Sequence, residues 1–244
     1  MRSMPTAALA ILLVLAHGRV WADTREATID FTNRAGQAER WQLRETVTGG
    51  AADRRVRREF ARAGRPFYVE TSRTVDGRLA TLVVEDARPG GESMRVDVRG
   101  REILFVPRGA GDTARSETVD SEVLSLGQVA PRLADLLRSR PQLREHRFHV
   151  PIPKALKSAP MRARIVSVGP SSFDVELDST SLVVRRFFMR DVFRMTVDRA
   201  SGRLLRYAGQ PEPYDLSAGR ARSLWTVHTY AASTRDAAPA SEAP

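Results

Sequence analysis

Histidines are the first residues of this sequence whose chemistry could serve catalysis or metal binding. His146 and His149 are three residues apart, and His228 stands alone near the C-terminal end. Imidazoles at this spacing on one helix could share a zinc ion. Pro151 and Pro153 indicate an extended chain instead, so we expect the two rings on opposite faces of a strand. The sequence therefore predicts no metal site and no cofactor, and His228 is expected to be a partly buried strand residue.

Other catalytic patterns are missing from the sequence. The chain contains no Cys, which excludes thiol nucleophiles, disulfides and cysteine-based metal sites. It contains no Gly-x-Ser-x-Gly elbow, no Walker sequence and no Gly-x-Gly-x-x-Gly loop. We therefore assign no catalytic residue. A secreted hydrolase with an unmarked site near His146, His149 and neighbouring acids stays open as an alternative.

Arginines form the densest charge feature. The protein has 39 Lys and Arg against 29 Asp and Glu, for a net charge of +10. A cluster of four arginines could contact anionic headgroups or phosphate: Arg54, Arg55, Arg57 and Arg58. Asp53 and Glu59 flank this cluster, so a solvated loop or helix face is the simpler interpretation.

A second candidate site is apolar. Phe187, Phe193 and Met195, with His228, could line a cleft for a lipid. Core packing is the more common role of such side chains, and we keep both interpretations at this point.

The N-terminus predicts export. Arg2 precedes a ten-residue apolar run over residues 7–16, and Val20, Trp21 and Ala22 follow. This arrangement is typical of a secretory signal peptide over residues 1–22, cleaved after Ala22. The run is too short for a membrane span, and no later segment in the mature chain is long enough for one. We expect a periplasmic or secreted protein, with lipid or another anionic envelope component rather than nucleic acid as its partner. The oligomeric state stays open.

Period-two alternation of apolar and polar residues dominates the mature chain and predicts strands. Asp76-Gly77 and Gly100 are expected at the turns of two hairpins. A third hairpin joins residues 161–168 to 173–178. In the expected register Ala163 faces Leu177 and Ile165 faces Val175, while two charged pairs occupy the other, solvent face: Arg162 with Asp178 and Arg164 with Glu176.

One helix is predicted over residues 131–140, where Leu133, Leu136 and Leu137 follow helical spacing and Pro131 suits the first turn. Residues 122–128 either extend this helix or precede it as a loop. Residues 53–62 are predicted as a short basic helix or an arginine-rich loop. The resulting organisation is a single β-rich domain over residues 23–230, followed by a disordered tail at 231–244.

Three segments carry a family resemblance: residues 149–153, residues 187–197, and the sequence Ser-Gly-Arg-Leu-Leu-Arg-Tyr-Ala-Gly at 201–209. Over residues 125–230 the chain resembles a group of uncharacterised exported bacterial proteins. Their architecture is similar to the half-barrel of periplasmic lipoprotein carriers. The resemblance implies a mainly β fold, with a single curved antiparallel sheet and one or a few helices packed on it. It implies no activity.

The sequence therefore favours an exported, non-enzymatic binding module for an apolar or anionic cell-envelope ligand. The alternatives are the secreted hydrolase described above and a structural partner of an envelope complex.

Overall fold

The computed structural model describes residues 22–32, 38–50, 52–88, 91–109, 113–187, 192–209 and 226–230. The signal peptide predicted at 1–22, apart from Ala22, and the tail predicted at 231–244 lie outside these ranges. Most of the described chain forms one sheet, which agrees with the alternation in the sequence.

Fifteen strands make up the sheet in the described part of the chain. The first eight are β1 (Ala22–Thr32), β2 (Ala38–Gly49), β3 (Asp53–Arg62), β4 (Arg65–Val75), β5 (Arg78–Asp86), β6 (Met94–Arg99), β7 (Glu102–Pro107) and β8 (Arg115–Thr118). The others are β9 (Glu122–Val123), β10 (Glu145–Ile152), β11 (Lys157–Val168), β12 (Ser172–Ser179), β13 (Phe193–Asp198), β14 (Leu204–Gly209) and β15 (Thr226–Tyr230).

The strand order places the two halves of the chain side by side. Strands β1 to β8 run consecutively to one edge, β15 pairs with β1, and β14 to β10 continue to the other edge, where β9 is last. Every neighbouring pair is antiparallel except β9 with β10. The sheet does not close into a barrel, because β8 and β9 end the order. The predicted class, a mainly β antiparallel sheet with a helix packed on it, is confirmed.

Helix α1 (Leu126–Ser139) packs on the inner face of the sheet, the face that carries the buried side chains. The side-chain oxygen of Gln128 accepts a hydrogen bond from the Ser125 backbone N–H (2.8 Å), and its amide donates to the Thr74 hydroxyl on β4. Near the middle of the helix, Gly202 in the β13–β14 turn has φ +70°, and a Cβ there would lie 2.8 Å from the Cα of Pro131. The helix therefore touches both halves of the sheet, which curves around it.

Two hydrophobic clusters fill the space between sheet and helix. One joins α1 to β10–β14 and includes Leu133, Phe148 and Leu177. The other lies between β1 and β7 and includes Ile29, Phe60 and Phe105. These side chains are at most 1% exposed, so the interior beside the helix is packed rather than open.

The predicted turns and registers are largely confirmed. Asp76 (φ +48°) and Gly77 (φ +75°) form the two-residue turn between β4 and β5, and Gly100 (φ +63°) lies in the turn before β7. The hairpin of β11 and β12 has the expected register for all four pairs. Asp178 differs from the solvent face predicted for it, because it is buried and also pairs with Arg185 of helix α2 (Leu182–Phe187), which the sequence did not predict.

Two predicted elements are wrong in type or extent. Residues 53–62 form strand β3, neither a basic helix nor a loop, because Val56 and Phe60 alternate on its inner face. Helix α1 begins at Leu126, so Pro131 lies inside it rather than in its first turn. Residues 22–32 form β1, for which no strand was predicted. The last strand is described from Thr226 onward.

Candidate functional site

The four clustered arginines do not form one surface patch. They lie on β3, where successive side chains point to opposite faces of the sheet. Arg54 and Arg58 lie on the inner face with Val56, whereas Arg55 and Arg57 lie on the outer face and are exposed. The structure therefore separates the predicted anion contact into an inner pair and an outer pair.

Arg58 belongs to a row of inward charges that crosses four strands. Arg25 of β1, Glu45 of β2, Arg58 of β3 and Glu70 of β4 are direct register partners in that order. We call these four residues the charge ladder. Its ion-pair distances are 3.9 Å from Arg25 to Glu45, 3.9 Å from Glu45 to Arg58 and 3.7 Å from Arg58 to Glu70. Opposite charges alternate along the row, so each side chain has an oppositely charged neighbour.

The ladder is buried under helix α1. The side chains of Arg58 and Glu70 are 8% and 4% exposed. A Cβ at Gly127, in the first turn of α1, would lie 3.2 Å from Cδ of Arg58, so the helix passes directly over this side chain. Charges this deep need partners, because an isolated ion in a protein interior loses its hydration without compensation.

A small cleft opens between the ladder, helix α1 and the β13–β14 turn. Four arginines line it, and we call it the arginine cleft after them: Arg25, Arg54, Arg58 and Arg203. Glu45, Tyr230 and apolar residues such as Leu126 and Met195 complete the lining. The cavity measures about 40 Å³. A cavity needs roughly 10–15 Å³ for one water molecule, so the cleft holds a few waters or one small polar group.

Arg54 differs from the other three arginines of the cleft. Arg25 pairs with Asp23 at 2.7 Å, and Arg203 pairs with the same carboxylate at 3.5 Å. Within the described part of the chain, Arg54 is the one of these four arginines that forms no ion pair, and its Nε is buried without a hydrogen bond. A guanidinium held in this way at a cleft wall is suited to receive an anion.

Tyr230 closes the cleft from β15. Arg58 donates a hydrogen bond to its hydroxyl. Burial is the main cause that raises the pKa of Tyr230, the negative charge of Glu45 raises it further, and Arg58 and Arg25 oppose the rise. The phenol therefore stays protonated at neutral pH and adds no charge to the cleft.

The residues predicted for an apolar ligand are placed differently. Phe193 and Met195 point inward from β13 and belong to the packed core, where Phe193 lies edge-on to Tyr207 at 6.0 Å. Met195 also lines the arginine cleft. His228 is the register partner of Ile29 and Tyr207, and its side chain lies outside the described residues. Phe187 ends α2, and its side chain lies outside them too.

His149 takes part in a Ser-His-Asp arrangement on the outer face. Its Nδ1 lies 2.9 Å from the Ser158 hydroxyl, and its Nε2 lies 3.0 Å from the Asp120 carboxylate. The hydrogen bond with His149 is the main cause that lowers the pKa of Asp120. Two features weaken this site as a hydrolase. The Asp120 side chain is 91% exposed, and the Ser158 backbone N–H already donates to Glu117 (2.6 Å) instead of facing an oxyanion.

His146 points to the opposite face, as the sequence predicts, and stacks on Phe148. Its Nε2 contacts Glu122 of β9, which also pairs with Arg132 of α1 at 3.1 Å. Burial raises the pKa of Glu122, but the contacts with His146 and Arg132 together lower it below its usual value. These contacts hold the edge strand β9 against β10 and α1, so His146 and Glu122 have a structural role.

No group of three or more His, Asp or Glu side chains among the described residues is arranged to hold a metal ion. No helix in the same ranges is long and apolar enough to cross a bilayer.

The sequence analysis missed the charge ladder and the cleft. The signal that could have found them was a charged residue at an inward position near the middle of three neighbouring strands: Glu45 in β2, Arg58 in β3 and Glu70 in β4. Each lies among apolar or small side chains of the same parity, which is unusual unless a neighbouring strand supplies the opposite charge.

Comparisons with known proteins add little. No family model matches the sequence, and no curated protein is significantly similar to it. One solved structure that it resembles is a beta-barrel-like protein of a domain of unknown function, DUF1849, from Brucella abortus, with 7% identity over 86% of this chain and 94% of that chain. The TM-score is 0.47, so this likeness supports no conclusion about the function of the present protein.

Proposed function

We propose that this protein is an exported, non-enzymatic binding module that holds an anionic group of a cell-envelope ligand in the arginine cleft. Arg54 carries the proposal, because it lines the cleft with a buried Nε and no acidic partner in the described part of the chain. Export rests on the N-terminal sequence, where the apolar run over residues 7–16 and Ala22 are typical of a signal peptide.

Packing around the arginine cleft favours an anionic group over an acyl chain at this place. Helix α1 and the two hydrophobic clusters occupy the interior that a half-barrel would offer to an acyl chain. The arginine cleft, of about 40 Å³, is much smaller than the 300–1,000 Å³ typical of drug-sized ligand pockets. A larger cavity of about 690 Å³ lies elsewhere, beside Ala27, Leu43 and Ala61. A lipid ligand would therefore place its headgroup, and not its chain, in the cleft.

Native mass spectrometry tests this function on mature protein purified from the periplasm without detergent. We expect a reproducible added mass on the wild-type protein that is lost in Arg54→Ala. Arg55→Ala is the matched control, because this neighbour lies on the outer face and should keep the ligand. An added mass that survives Arg54→Ala but not Arg55→Ala would place the ligand elsewhere, and a clean apo mass would exclude a tightly held ligand.

The secreted hydrolase remains the second candidate function, because His149 lies within hydrogen-bond distance of both Ser158 and Asp120. In that case Ser158 would be the nucleophile, His149 the base and Asp120 the group that orients the imidazole. A fluorophosphonate probe distinguishes the candidates. Labelling that is absent in Ser158→Ala and reduced in Asp120→Asn would establish the hydrolase, whereas an unlabelled wild-type protein supports the binding module.

A further inference from the structure

The charges around the arginine cleft balance except for one. Three arginines and three acids form a connected set of ion pairs within the described residues: Arg25, Arg58 and Arg203 with Asp23, Glu45 and Glu70. The formal charge of this set is zero. Five charged residues line the cleft, and among them Arg54 alone forms no ion pair with a described residue.

The acids restrict what else the site can accept. Glu45 lines the cleft between Arg25 and Arg58 and uses both of its carboxylate oxygens for them. A second negative charge on a ligand could be neutralised only by separating one of these buried pairs. Breaking such a pair leaves a carboxylate without compensation in a poorly hydrated place, which is strongly unfavourable.

The geometry of the guanidinium N–H donors also favours a small group with two oxygens. The terminal edge of a guanidinium, formed by Nη1 and Nη2, presents two parallel N–H donors, which match two oxygens on one carbon or phosphorus atom. A cavity of about 40 Å³ accommodates such an oxygen pair, and Leu126, Ala130 and Met195 line it on the side away from the ladder. The ligand group is therefore small and adjoins an apolar portion of the same molecule.

We propose that the arginine cleft selects a singly charged group with two equivalent oxygens, a carboxylate or a phosphodiester, over a doubly charged phosphomonoester of similar size. This inference rests on the proposed function and specifies its ligand class. Selectivity arises because one surplus guanidinium matches one negative charge, while the balanced ladder opposes a second.

The test is a titration of the mature protein with small anions, followed by the NMR signal of the Arg54 Nε–H. The probes are dimethyl phosphate, which is singly charged at every pH used, butyrate, and methyl phosphate. Methyl phosphate passes from one to two charges around pH 6, the usual second pKa of a phosphomonoester. The comparison of pH 5 with pH 8 therefore changes the charge while the molecule stays the same, and dimethyl phosphate reports any change in the protein itself.

We expect dimethyl phosphate to bind equally at both pH values. Methyl phosphate should bind at least about 10-fold more weakly at pH 8 than at pH 5, which corresponds to about 1.4 kcal/mol. The response should disappear in Arg54→Gln and persist in Arg55→Gln, with retained amide dispersion as the check on folding. The affinity for butyrate, compared with that for dimethyl phosphate, then shows which of the two singly charged groups the cleft prefers.

The outcomes separate this inference from the proposed function. Binding of methyl phosphate that is as tight or tighter at pH 8, with the Arg54 signal responding, would overturn the selectivity and leave the anion site intact. No response of Arg54 to any probe would overturn both. Responses confined to Arg55 and Arg57 would move the anion contact to the outer face and contradict both.

Discussion

The charge ladder predicts that Arg58 contributes far more to stability than its neighbour Arg57. Arg58 lies between Glu45 and Glu70 with 8% of its side chain exposed, whereas Arg57 pairs with Glu59 at the surface and is 51% exposed. Arg58→Met keeps most of the side-chain volume beside Phe60 and Val56 but removes the charge. Glu70 is then left in the interior without its arginine.

The expected losses differ several-fold. Removing one partner of a buried ion pair costs about 3–5 kcal/mol, whereas an exposed pair contributes about 0–1 kcal/mol. Arg58→Met should therefore lower the free energy of unfolding by about 3 kcal/mol, and Arg57→Met by less than about 1 kcal/mol. In urea, with a slope near 3 kcal/mol per molar, the first change moves the midpoint by about 1 M.

A double variant separates charge from packing. Arg58→Met with Glu70→Gln removes both members of the pair, so the second substitution should recover at least about 1 kcal/mol of the loss. Equilibrium unfolding in urea, followed by fluorescence of the buried Trp41, measures Arg58→Met, Arg57→Met, Glu70→Gln and the double variant. Equal effects of Arg58→Met and Arg57→Met, or strictly additive losses in the double variant, would refute the ladder.

Two further predictions concern the contacts that hold the helix and the sheet edge. Gly202→Ala should lower the free energy of unfolding by about 2 kcal/mol or more, and Gly77→Ala by about 1 kcal/mol. Both glycines have positive φ, but only a Cβ at position 202 meets backbone, at 2.8 Å. Equal losses of stability in thermal unfolding would show that the β13–β14 turn does not pack tightly against α1. Glu122→Gln should flatten the fall in stability below about pH 4.3, because a carboxylate with a lowered pKa stabilises the fold above its unfolded pKa and loses that effect on protonation. Asp120→Asn, at an exposed carboxylate, is the control with a smaller effect, and a Glu122→Gln profile parallel to wild type would contradict the assignment.

Most of the sheet could be predicted from the sequence because its strands alternate and its turns carry Gly or Asp-Gly. The register of the β11–β12 hairpin was predictable as far as Ile165 and Val175, since a slip by one position would have broken both its apolar pairs and its charged pairs. The bulge between Ile165 and Ser167, which shifts the pairing near the turn, was not predicted. Strand β3 failed for a related reason. Two of its inward positions hold Arg54 and Arg58, so β3 lacks the regular alternation of apolar and polar residues that predicts a strand.

The site could not be predicted because it depends on long-range register. Glu45 and Glu70 compensate Arg58 only because β2 and β4 flank β3 with these residues directly opposite. The sequence indicated that arginines cluster near residue 55, but only the sheet separates them into two faces. Phe193 and Met195 were predicted as ligand contacts. In the structure they lie in the hydrophobic cluster that joins α1 to the sheet, and the sequence did not show how α1 packs there.

A crystal structure of the mature protein soaked with dimethyl phosphate tests the central claim most directly. We expect density for one phosphate group in the arginine cleft, bonded to the guanidinium of Arg54, with the pairs of Arg58 to Glu45 and Glu70 unbroken. Density bound instead to Arg55 or Arg57 on the outer face, or an empty cleft at probe concentrations that saturate the NMR titration, would contradict it.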